Sequence, residues 1–586
     1  SASQRLSATF LATGHASMRK RSAAIAVPFL PTSIILSILL LALPVRASDL
    51  SMAQVQARIE NRLTGRQANE TLAIRGERIC GMEMMPLAYR GRSYMPFWID
   101  ASLRLNAAKA LIMAVGRVRE DGLRPSDYHL KAIYRLLTEI AEERSATRRV
   151  SPDRWADLDL VLTDAFLLLG THLRAGRVNP ETRHGNWKID PGRTRLLPLL
   201  NRAAETGDVT TALEALRPLQ EGYRALRRAL ARLRKIDVNG GWPMLDHSLP
   251  LHPVRGSEGA AALYRRLVLG GDGDPANQGP DEAHFNAGLT EAVKRFQRRH
   301  GLNDDGLVGP ETLAMLNVSA KERVRQVEIN LERWRWLPHR KENRYVDVNM
   351  AAFSLEAVQS GQVRLTMRVA VGRPARRSPV FSSKITNMVV NPYWNIPRTI
   401  AVEDMLPEVK KHVAYLTERG IRVYENWRPD AAEIDPAHVD WQAYDAGRFP
   451  FNFRQDPGPR NGLGRIKFFL PNAFDVYLHD TPDHSIFERV QRDLSSGCIR
   501  VAAPVALANF VLTKDDGWSS EALSGLIASG KTVKIALRHP VPVRLLYMTA
   551  WVDKQGRTQF RKDIYHRDGA LDLALNQQPP EPPGNP

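Results

Sequence analysis

The sequence predicts a multidomain α+β protein in which a helical region, a small helical unit and a mainly β region follow one another. Apolar residues recur at helical spacing through residues 49–240, and β-branched runs separated by Gly and Pro dominate residues 319–576. A chain of 586 residues is long enough for several domains. Its 43% apolar and 25% charged content is typical of a soluble globular protein.

Residues 1–48 are expected to be a targeting segment. Arg19-Lys20-Arg21 forms a basic start, and the apolar run Ile34–Leu43 precedes Val45-Arg46-Ala47, which matches a signal-peptidase site. We expect cleavage directly after this site. An uncleaved signal-anchor is the alternative, but prolines leave the apolar run short of a comfortable membrane span. In either case the protein is expected to cross a membrane.

The chain is basic, with a formal charge of +19. Residues 1–48 hold five basic and no acidic residues, so a charge of +14 remains without them. An exported protein has little access to nucleic acid, which favours an anionic membrane surface or a cell-wall polymer as the partner. The alternative is that much of this charge is solvated helix surface.

The helical region, residues 49–240, shows apolar periodicity interrupted by Gly and Pro. The predicted helices are Leu103–Val118, Tyr128–Ile140, Asp157–Leu173 and Tyr223–Ile236. The third of them holds Asp164 and His172. We interpret both residues as structural, because no partner motif surrounds them.

Residues 241–318 are predicted to form the small helical unit. Leu289–His300 is amphipathic, and Pro310 suits the first turn of a helix that closes the unit at Leu316. The residues that carry a resemblance are Ala292-Val293-Lys294-Arg295-Phe296-Gln297, Gly301-Leu302, Asp305-Gly306, Val308-Gly309 and Thr312. They resemble the three-helix peptidoglycan-binding domain type 1. Whether the unit binds glycan or only supports its neighbours stays open.

Residues 319–576 are predicted to be mainly β after an opening helix, Gln326–Trp336. The predicted strands are Tyr345–Val348, Val363–Val371, Met388–Val390, Lys467–Leu470, Val476–His479, Thr532–Leu537 and Val543–Val552. Such runs indicate a sandwich or a barrel-like core. Residues 577–586 are Pro-rich and are expected to be disordered.

The strand pattern lapses over about residues 400–456, which we interpret as an insertion. Leu406–Arg419 and Asp435–Tyr444 are the helices predicted within it. Ahead of it lies the aromatic loop Asn391-Pro392-Tyr393-Trp394-Asn395-Ile396-Pro397. Its residues alone are those of a Pro-rich corner with a buried Trp.

The chemistry is predicted to lie between Tyr477 and Val501, where one of only two cysteines occurs. Cys498 follows Gly497, and His479 lies 19 residues upstream. The thiolate is the attacking form of cysteine, and an imidazole in reach can take the thiol proton and return it to a leaving amine. The pair therefore predicts a thiol nucleophile with its base. The alternative is a core cysteine and a structural histidine.

Neighbouring residues would support this chemistry. Gly497 leaves room beside the sulfur, so the Gly497 and Cys498 N–H groups are candidates to bind the oxyanion of a tetrahedral intermediate. The apolar run Ala502–Leu512 predicts a helix whose N-terminus would favour the thiolate. A bridge to Cys80 would block the nucleophile, so we expect Cys498 to be free and Cys80 to be buried or incidental.

Two segments carry a family resemblance, namely His479-Asp480-Thr481 and Ser495-Ser496-Gly497-Cys498-Ile499-Arg500-Val501. They resemble the active-site signature of the L,D-transpeptidase (YkuD-type) catalytic domain. Many members have His before the Gly, and Ser at position 496 is typical of the large multidomain gram-negative type. Residues 120–128 and 173–180 resemble the helical scaffold region of that type. The resemblance implies a mainly β YkuD-type domain with a capping insertion over its cleft.

The resemblance implies a cysteine acyltransferase. Cys498 would attack the third residue of a donor tetrapeptide, at its meso-diaminopimelate carbonyl, while His479 acts as base and then as acid to release D-Ala. A second stem's side-chain amine would then give a 3→3 crosslink. The backbone carbonyl of Asp480 would orient the imidazole, and Ser496 and Gly497 would line the oxyanion side. Carbapenems are expected to acylate Cys498.

Other residues have two interpretations each. Arg500 would hold a substrate carboxylate or form a structural ion pair, and we lean slightly towards the ion pair. The family places Tyr393 and Trp394 near the active cleft, which we weigh equally against the Pro-rich corner. His484 is a rival base, but its closeness to Pro482 suggests a loop.

Acyl transfer needs no cofactor, and no Cys or His spacing matches a zinc pattern, so neither cofactor nor metal is expected. The expected partners are peptidoglycan stem peptides and glycan in the periplasm, and not nucleic acid. Membrane-associated cell-wall synthases stay open as partners. So do two outcomes of the same acyl-enzyme, hydrolysis by an L,D-carboxypeptidase and attachment of a lipoprotein. The alternative from a different class is a non-catalytic wall-binding scaffold protein.

Overall fold

The computed structural model describes residues 52–65, 72–100, 105–147, 149–180, 193–246, 257–274, 287–338, 342–428, 431–513 and 516–577. Within them the predicted fold class is confirmed, because a helical region and a small helical unit precede a β-rich region. The expected targeting segment lies outside the described residues, as does all but the first residue of the expected tail. Among the described helices, none combines the length and apolar character needed to cross a membrane.

One long helix organises the first region. The helices are α1 (Met52–Thr64), α2 (Met85–Arg90), α3 (Asn106–Arg117), α4 (Leu130–Thr147), α5 (Pro152–Ala175), α6 (Arg193–Thr206), α7 (Val209–Glu214) and α8 (Glu221–Val238), with the hairpin β1 (Ala73–Ile74) and β2 (Glu77–Arg78). All of residues 155–175 in α5 are buried, because neighbours pack on every side of the helix. The four helices predicted for this region are all present.

The buried acids on α5 are satisfied within the region. Asp159 accepts a hydrogen bond from the Tyr89 hydroxyl at 2.6 Å and others from backbone N–H groups. Asp164 lies 2.7 Å from His129 Nε2 and also accepts from the Cys80 N–H. The Tyr128 hydroxyl pairs with His172 Nδ1 at 3.0 Å. These contacts are structural, because each joins α5 to a neighbouring segment of the same core.

The small helical unit comprises α9 (Ser257–Gly270), α10 (Ala287–His300) and α11 (Pro310–Leu316), which share one apolar core. Gln297 of α10 fixes the turn that follows. Its side chain accepts from the Gly306 N–H and donates to the Leu307 carbonyl, both at 2.8 Å. Arg299 donates to the Thr558 carbonyl at 2.8 Å, so the unit contacts the β-rich region.

The β-rich region is built on a closed barrel. Its strands are β3 (Arg344–Asn349), β4 (Ser354–Gln359), β5 (Gln362–Gly372), β6 (Phe381–Val390), β7 (Trp394–Ile396), β8 (Ile421–Tyr424), β9 (Glu433–Ile434), β10 (Asn452–Gln455), β11 (Ile466–Phe469), β12 (Leu478–His479), β13 (Asp493–Ser495), β14 (Ile499–Val501), β15 (Val533–Leu546), β16 (Ala550–Val552) and β17 (Thr558–Phe560). The barrel order is β13-β5-β14-β12-β11-β6-β15-β3-β4, and β4 pairs back with β5 to close it. A barrel of this kind has few free edges.

The helices of this region surround the barrel and the insertion. They are α12 (Ala320–Arg335), α13 (Arg398–Ile400), α14 (Leu406–Lys411), α15 (Ala414–Glu418), α16 (Pro504–Val511), α17 (Ser520–Ala528) and α18 (Arg567–Asn576). The barrel core includes Leu507 of α16, Leu523 of α17 and Leu571 of α18. The two runs predicted at the end of the chain form mainly one long strand, β15, whose register shifts between Ala536 and Val541.

The segment expected to be an insertion, about residues 400–456, joins the preceding strand β7 in a separate four-stranded sheet, in the order β7-β10-β8-β9, with a separate apolar core. The predicted helix Leu406–Arg419 is divided into α14 and α15. The predicted helix Asp435–Tyr444 is wrong, because two short 3₁₀ turns stand there. Asp435 and Asp440 accept hydrogen bonds from the N–H groups two residues on, which closes separate turns in place of a helix.

Helix α12 joins the helical region to the barrel through a buried polar network. The carboxylate of Glu332 accepts from the Val178 N–H at 2.8 Å and from Arg335 Nη2 at 2.6 Å. Arg335 also donates to the Asp121 carbonyl at 2.8 Å. Glu332 and Arg335 are almost completely buried. Each charge therefore depends on its partners for the solvation that it has lost.

We expect Glu332→Gln to destabilise the protein, because it leaves the Arg335 guanidinium buried without its carboxylate. The loss should be about 3–5 kcal/mol, the range for a buried ion pair that loses one member. Urea unfolding followed by tryptophan fluorescence measures it. The matched control is Glu408→Gln, whose carboxylate pairs with Lys411 on the surface at 2.8 Å and should cost under about 1 kcal/mol. Equal midpoints for the two variants would contradict the importance of the network.

Candidate active site

Two very short strands bring the predicted nucleophile and base together. β12 and β14 run parallel, with Leu478 opposite Ile499 and His479 opposite Arg500. The Ile499 N–H donates to the Tyr477 carbonyl at 3.1 Å. Cys498 directly precedes β14, so this register places it opposite Tyr477, two residues before His479. The 19-residue separation in sequence is thus closed by strand pairing.

The thiol of Cys498 is half-buried, and neither Cys498 nor Cys80 forms a disulfide. Its Sγ lies 3.9 Å from the backbone carbonyl of Asp475. Burial raises the pKa of the Cys498 thiol, although Tyr477, through its N–H and its hydroxyl, and the charges of Lys467 and Arg500 act in the opposite direction. The raised pKa means that the thiol is protonated at neutral pH.

The imidazole of His479 is buried, and its Nδ1 lies 2.5 Å from the Asp480 carbonyl. A carbonyl can only accept, so Nδ1 carries the proton and Nε2 is the basic nitrogen. Burial, together with the positive charges of Arg500 and Lys467, lowers the pKa of His479 to about 3. The side chain is therefore a neutral imidazole. Among the described residues, no hydrogen bond joins it to the Cys498 sulfur, so the resting pair is a thiol and an imidazole.

The structure does not support the expected contribution of a helix N-terminus to the thiolate. The predicted helix Ala502–Leu512 exists as α16, but it starts at Pro504. The strand β14 stands between Cys498 and that start, and it adds about 10 Å at the usual rise per residue. The partial charge of a helix end falls off within about one turn, so it contributes little at the sulfur.

The loop before the thiol is tightly hydrogen-bonded. Gly497 has a φ of +118°, which favours glycine. Its N–H donates to Ser495 Oγ at 3.1 Å, and Ser495 Oγ donates to the Cys498 carbonyl at 2.6 Å. The Gly497 N–H expected to bind the oxyanion is therefore already occupied. Among the described residues, no acceptor faces the Cys498 N–H, so it is the better candidate donor.

Ser496 connects this loop to the insertion. Its Oγ accepts from Arg376 Nη1 at 3.0 Å, and the same nitrogen pairs with Asp404 at 2.6 Å. Arg376 also pairs with Glu403, and Arg373 pairs with Asp404 at 2.7 Å. Both acids lie in a π-helical turn, residues 401–405, where the insertion starts. Ser496 therefore faces an ionic cluster that fastens the insertion to the barrel.

Arg500 is half-buried beside the thiol. In the described part of the chain it forms no ion pair within 4 Å, and its buried Nε has no hydrogen-bond partner. The interpretation towards which we leaned, a structural ion pair, is therefore not supported. Burial lowers the pKa of its guanidinium, and the charge of Asp483 acts in the opposite direction. A buried guanidinium with an open donor is suited to a carboxylate ligand.

The remaining predicted residues lie around the same place. Trp394 packs on Gly462, where an added Cβ would lie 2.6 Å from its ring, and its indole lies beside the Tyr477 hydroxyl. Tyr393 is 48% exposed and its ring lies 5.2 Å from the guanidinium of Arg454. The rival base His484 is half exposed.

The Nε2 atom of His484 lies 3.0 Å from the Asp480 carboxylate. That carboxylate also accepts from the Arg465 N–H at 2.8 Å. His484 therefore contacts the side chain of Asp480, whereas His479 contacts the backbone carbonyl of the same residue. This contact of His484 helps to position the segment that carries His479.

Two residues near the sulfur were not assigned a role from the sequence. Tyr477 lies two residues before His479, and residues at that spacing in a strand face the same side, so this signal was available. Lys467 lies opposite His479 in β11. Its position beside His479 follows only from the pairing of β11 with β12, and no sequence motif indicates it. Among the described residues, no group of three potential metal ligands occurs.

Three family models match separate segments of the chain. The model described as "L,D-transpeptidase catalytic domain" matches residues 343–535, which include Cys498 and His479. The chain carries an L,D-transpeptidase catalytic domain. The model described as "Putative peptidoglycan binding domain" matches residues 268–316, and the one described as "Scaffold domain" matches residues 84–230.

Several proteins named as L,D-transpeptidases are similar to this chain. A curated Haemophilus influenzae protein named "Putative L,D-transpeptidase" is 36% identical over 266 residues, which is 45% of this chain and 53% of that protein. The chain thus spans about half the length of this relative. An L,D-transpeptidase structure from Mycobacterium smegmatis matches at 12% identity, over 34% of this chain and 58% of the other, with a TM-score of 0.18. One from Stackebrandtia nassauensis matches at 14% identity, over 52% and 96%, with a TM-score of 0.20.

The L,D-transpeptidase domain is expected to show a thiol that ionises late. Since burial raises the Cys498 pKa and only the thiolate attacks, iodoacetamide alkylation should rise about tenfold per pH unit between pH 6 and pH 8. A Cys80→Ala background leaves one thiol to follow by mass spectrometry, and adding Cys498→Ala should abolish labelling. A rate that is already constant below pH 7 would indicate a preformed thiolate and contradict the expectation.

Proposed function

We propose that this chain is an L,D-transpeptidase that forms 3→3 peptidoglycan crosslinks through a cysteine thioester. The observation that supports the proposal is the parallel pairing of β12 with β14, whose register puts Cys498 opposite Tyr477, two residues before His479, within the segment that the catalytic-domain model matches. A neutral imidazole with a free Nε2 can act as the base for a protonated thiol. This is the pair of protonation states that an acyl transfer needs at its first step.

In the first half of the reaction, His479 Nε2 takes the proton of the Cys498 thiol. The sulfur then attacks the diaminopimelate carbonyl of a donor tetrapeptide, and the carbonyl oxygen becomes an oxyanion. Collapse breaks the C–N bond, and the leaving D-Ala amine takes the proton from His479. A thioester on Cys498 remains.

In the second half, the side-chain amine of another stem attacks the thioester. The C–N bond of the crosslink forms, the C–S bond breaks, and the amine proton passes through His479 to the sulfur. The Asp480 carbonyl keeps Nδ1 protonated through both halves, so Nε2 is always the nitrogen that exchanges the proton. The Cys498 N–H is the donor for both oxyanions, because the Gly497 N–H is held by Ser495.

Substrate binding is assigned to the groups around the thiol. Arg500 offers a buried donor for a stem carboxylate, and Tyr393 and Trp394 stand at the entrance to the insertion. The insertion acts as a cap that keeps water away from the thioester, and the Arg376 cluster beside Ser496 fixes where it starts. Hydrolysis by an L,D-carboxypeptidase would follow if the cap admitted water to the same acyl-enzyme.

The setting of the activity is part of the same proposal. Peptidoglycan stem peptides and glycan are the substrate, and the small helical unit fits a wall-binding role. The site of action is outside the cytoplasm, in the periplasm, where cell-wall synthases would supply the donor stems. Residues 49–240, 241–318 and 319–576 are proposed as the scaffold, wall-binding and catalytic domains, behind a targeting segment at residues 1–48.

The proposal is tested by intact mass of the protein without residues 1–48, mixed separately with a carbapenem and with a disaccharide-tetrapeptide. We expect an adduct on the wild type and none on Cys498→Ala, with dimeric muropeptide formed by the wild type alone. Release of tripeptide without dimer would indicate the carboxypeptidase. An absence of adduct on both proteins would contradict the catalytic assignment and favour the alternative, a wall-binding scaffold protein.

The role of Arg500 is tested by Arg500→Lys, which keeps the charge near the sulfur and loses the planar donor fork. We expect kcat/KM for the tetrapeptide to fall about tenfold to hundredfold, the cost of one charge-assisted hydrogen bond. The control is a donor whose carboxylates are amidated, on which wild type and variant should perform alike. An equal loss on both donors would assign Arg500 to the architecture of the loop.

A further inference from the structure

Lys467 is a half-buried cation that the chemistry proposed above does not use. It lies in β11, an otherwise apolar strand in the wall of the barrel, and its strand neighbour is His479. Its Nζ lies 3.8 Å from the centre of the Tyr477 ring, within the range of a cation–π contact. Tyr477 in turn faces the Cys498 sulfur through its N–H and its hydroxyl. A continuous row of contacts thus runs from the ammonium to the thiol.

The surroundings of Lys467 hold little negative charge. In the part of the chain that the structure describes, it forms no ion pair within 4 Å. Asp475 and Cys498 are the groups that raise the pKa of its ammonium, and burial lowers that pKa. The other charged groups around the thiol and imidazole are Arg500 and, beside it, Asp483. A half-buried lysine without a paired carboxylate loses solvation, so its position needs a compensating interaction.

The compensating interaction is the negative charge that forms on the sulfur. We propose that Lys467 is a positioning residue whose ammonium, seated on the Tyr477 ring, stabilises the Cys498 thiolate as the thiol proton leaves. The inference rests on the proposed function, in which Cys498 is the nucleophile. The Tyr477 side chain contacts both groups, so part of the space between them is filled by an aromatic ring and their attraction is screened less than that of two exposed charges.

Lys467 acts on both partners of the proton transfer. Its charge favours the thiolate and also disfavours a proton on His479. Loss of the charge would make the thiolate harder to form and the imidazolium easier to form. Alkylation of the thiol by a small neutral electrophile reports on the sulfur alone, since it needs no proton on a leaving group. The sulfur–carbon bond forms as iodide leaves, and the thiol proton goes to solvent.

A second role for Lys467, the capture of a substrate carboxylate, is separated by the same variants. A carboxylate contact would change KM for the donor and leave the alkylation of the free enzyme unchanged. Stabilisation of the thiolate changes the pH dependence of alkylation in the absence of any substrate. The two roles therefore differ in the state of the enzyme in which they are measured.

The experiment follows iodoacetamide alkylation of Cys498 against pH in the full protein with Cys80→Ala. Lys467→Met should shift the profile upward by about one pH unit and slow the reaction about tenfold at pH 7.5, as expected for the loss of one nearby opposite charge. Lys467→Arg should stay within about threefold of the parent protein, because it returns the charge. Lys467→Gln gives a second neutral variant in case the methionine variant does not fold, which circular dichroism reports.

The chain offers a matched control in Lys534. Lys467 and Lys534 face the same residue, Val389, from the two sides of β6, but Lys534 is exposed and lies farther from the thiol. Lys534→Met should leave the alkylation profile unchanged. A profile of Lys467→Met that coincides with that of Lys534→Met would overturn the inference, as would failure of Lys467→Arg to restore the rate. A failed proposed function would be seen separately, as a wild type that alkylates normally but forms neither carbapenem adduct nor dimer.

Discussion

The parallel pairing of β12 with β14 is the constraint on which the candidate site depends. The two strands have two and three residues, so they could not hold this register alone. β11 on one side and β5 on the other clamp them into the barrel wall. The barrel therefore holds the register of the two strands, while the loop between them carries its own turns. Closure of the barrel therefore fixes the register that the proposed chemistry requires.

Two positively charged side chains lie near this pairing, although the thiol and the imidazole themselves are neutral. Arg500 and Lys467 lower the pKa of His479 and oppose the effect of burial on Cys498. The resting site thus stores positive charge beside two neutral reacting groups. Such an arrangement disfavours a stable thiolate–imidazolium pair, because the imidazolium would lie beside two cations. In the reaction proposed above, it would favour the anions that form at the sulfur and at the carbonyl oxygen.

The sequence was informative wherever a local pattern decided the structure. Apolar periodicity located α3, α4, α5 and α8, and the rarity of cysteine singled out Cys498. Sequence patterns failed where strand pairing, a side-chain rotamer or a competing turn decided the outcome. Lys467 looks like any strand lysine until β11 is set against β12, and the occupation of the Gly497 N–H depends on the rotamer of Ser495. The lapse near Asp435 had a local cause, since two aspartates close turns that compete with a helix.

Helix α12 has a consequence for how the chain can be divided. It precedes the segment that matches the catalytic family model, yet its Ile329 packs in the barrel core and its Val327 in the core shared with α8 and β16. A boundary drawn at residue 343 would cut through two hydrophobic cores at once. The matched segment therefore shares its hydrophobic core with a helix that lies outside it. If that segment were transferred to another chain, α12 would have to be transferred with it. The new chain would also need a donor in place of the Val178 N–H that binds Glu332.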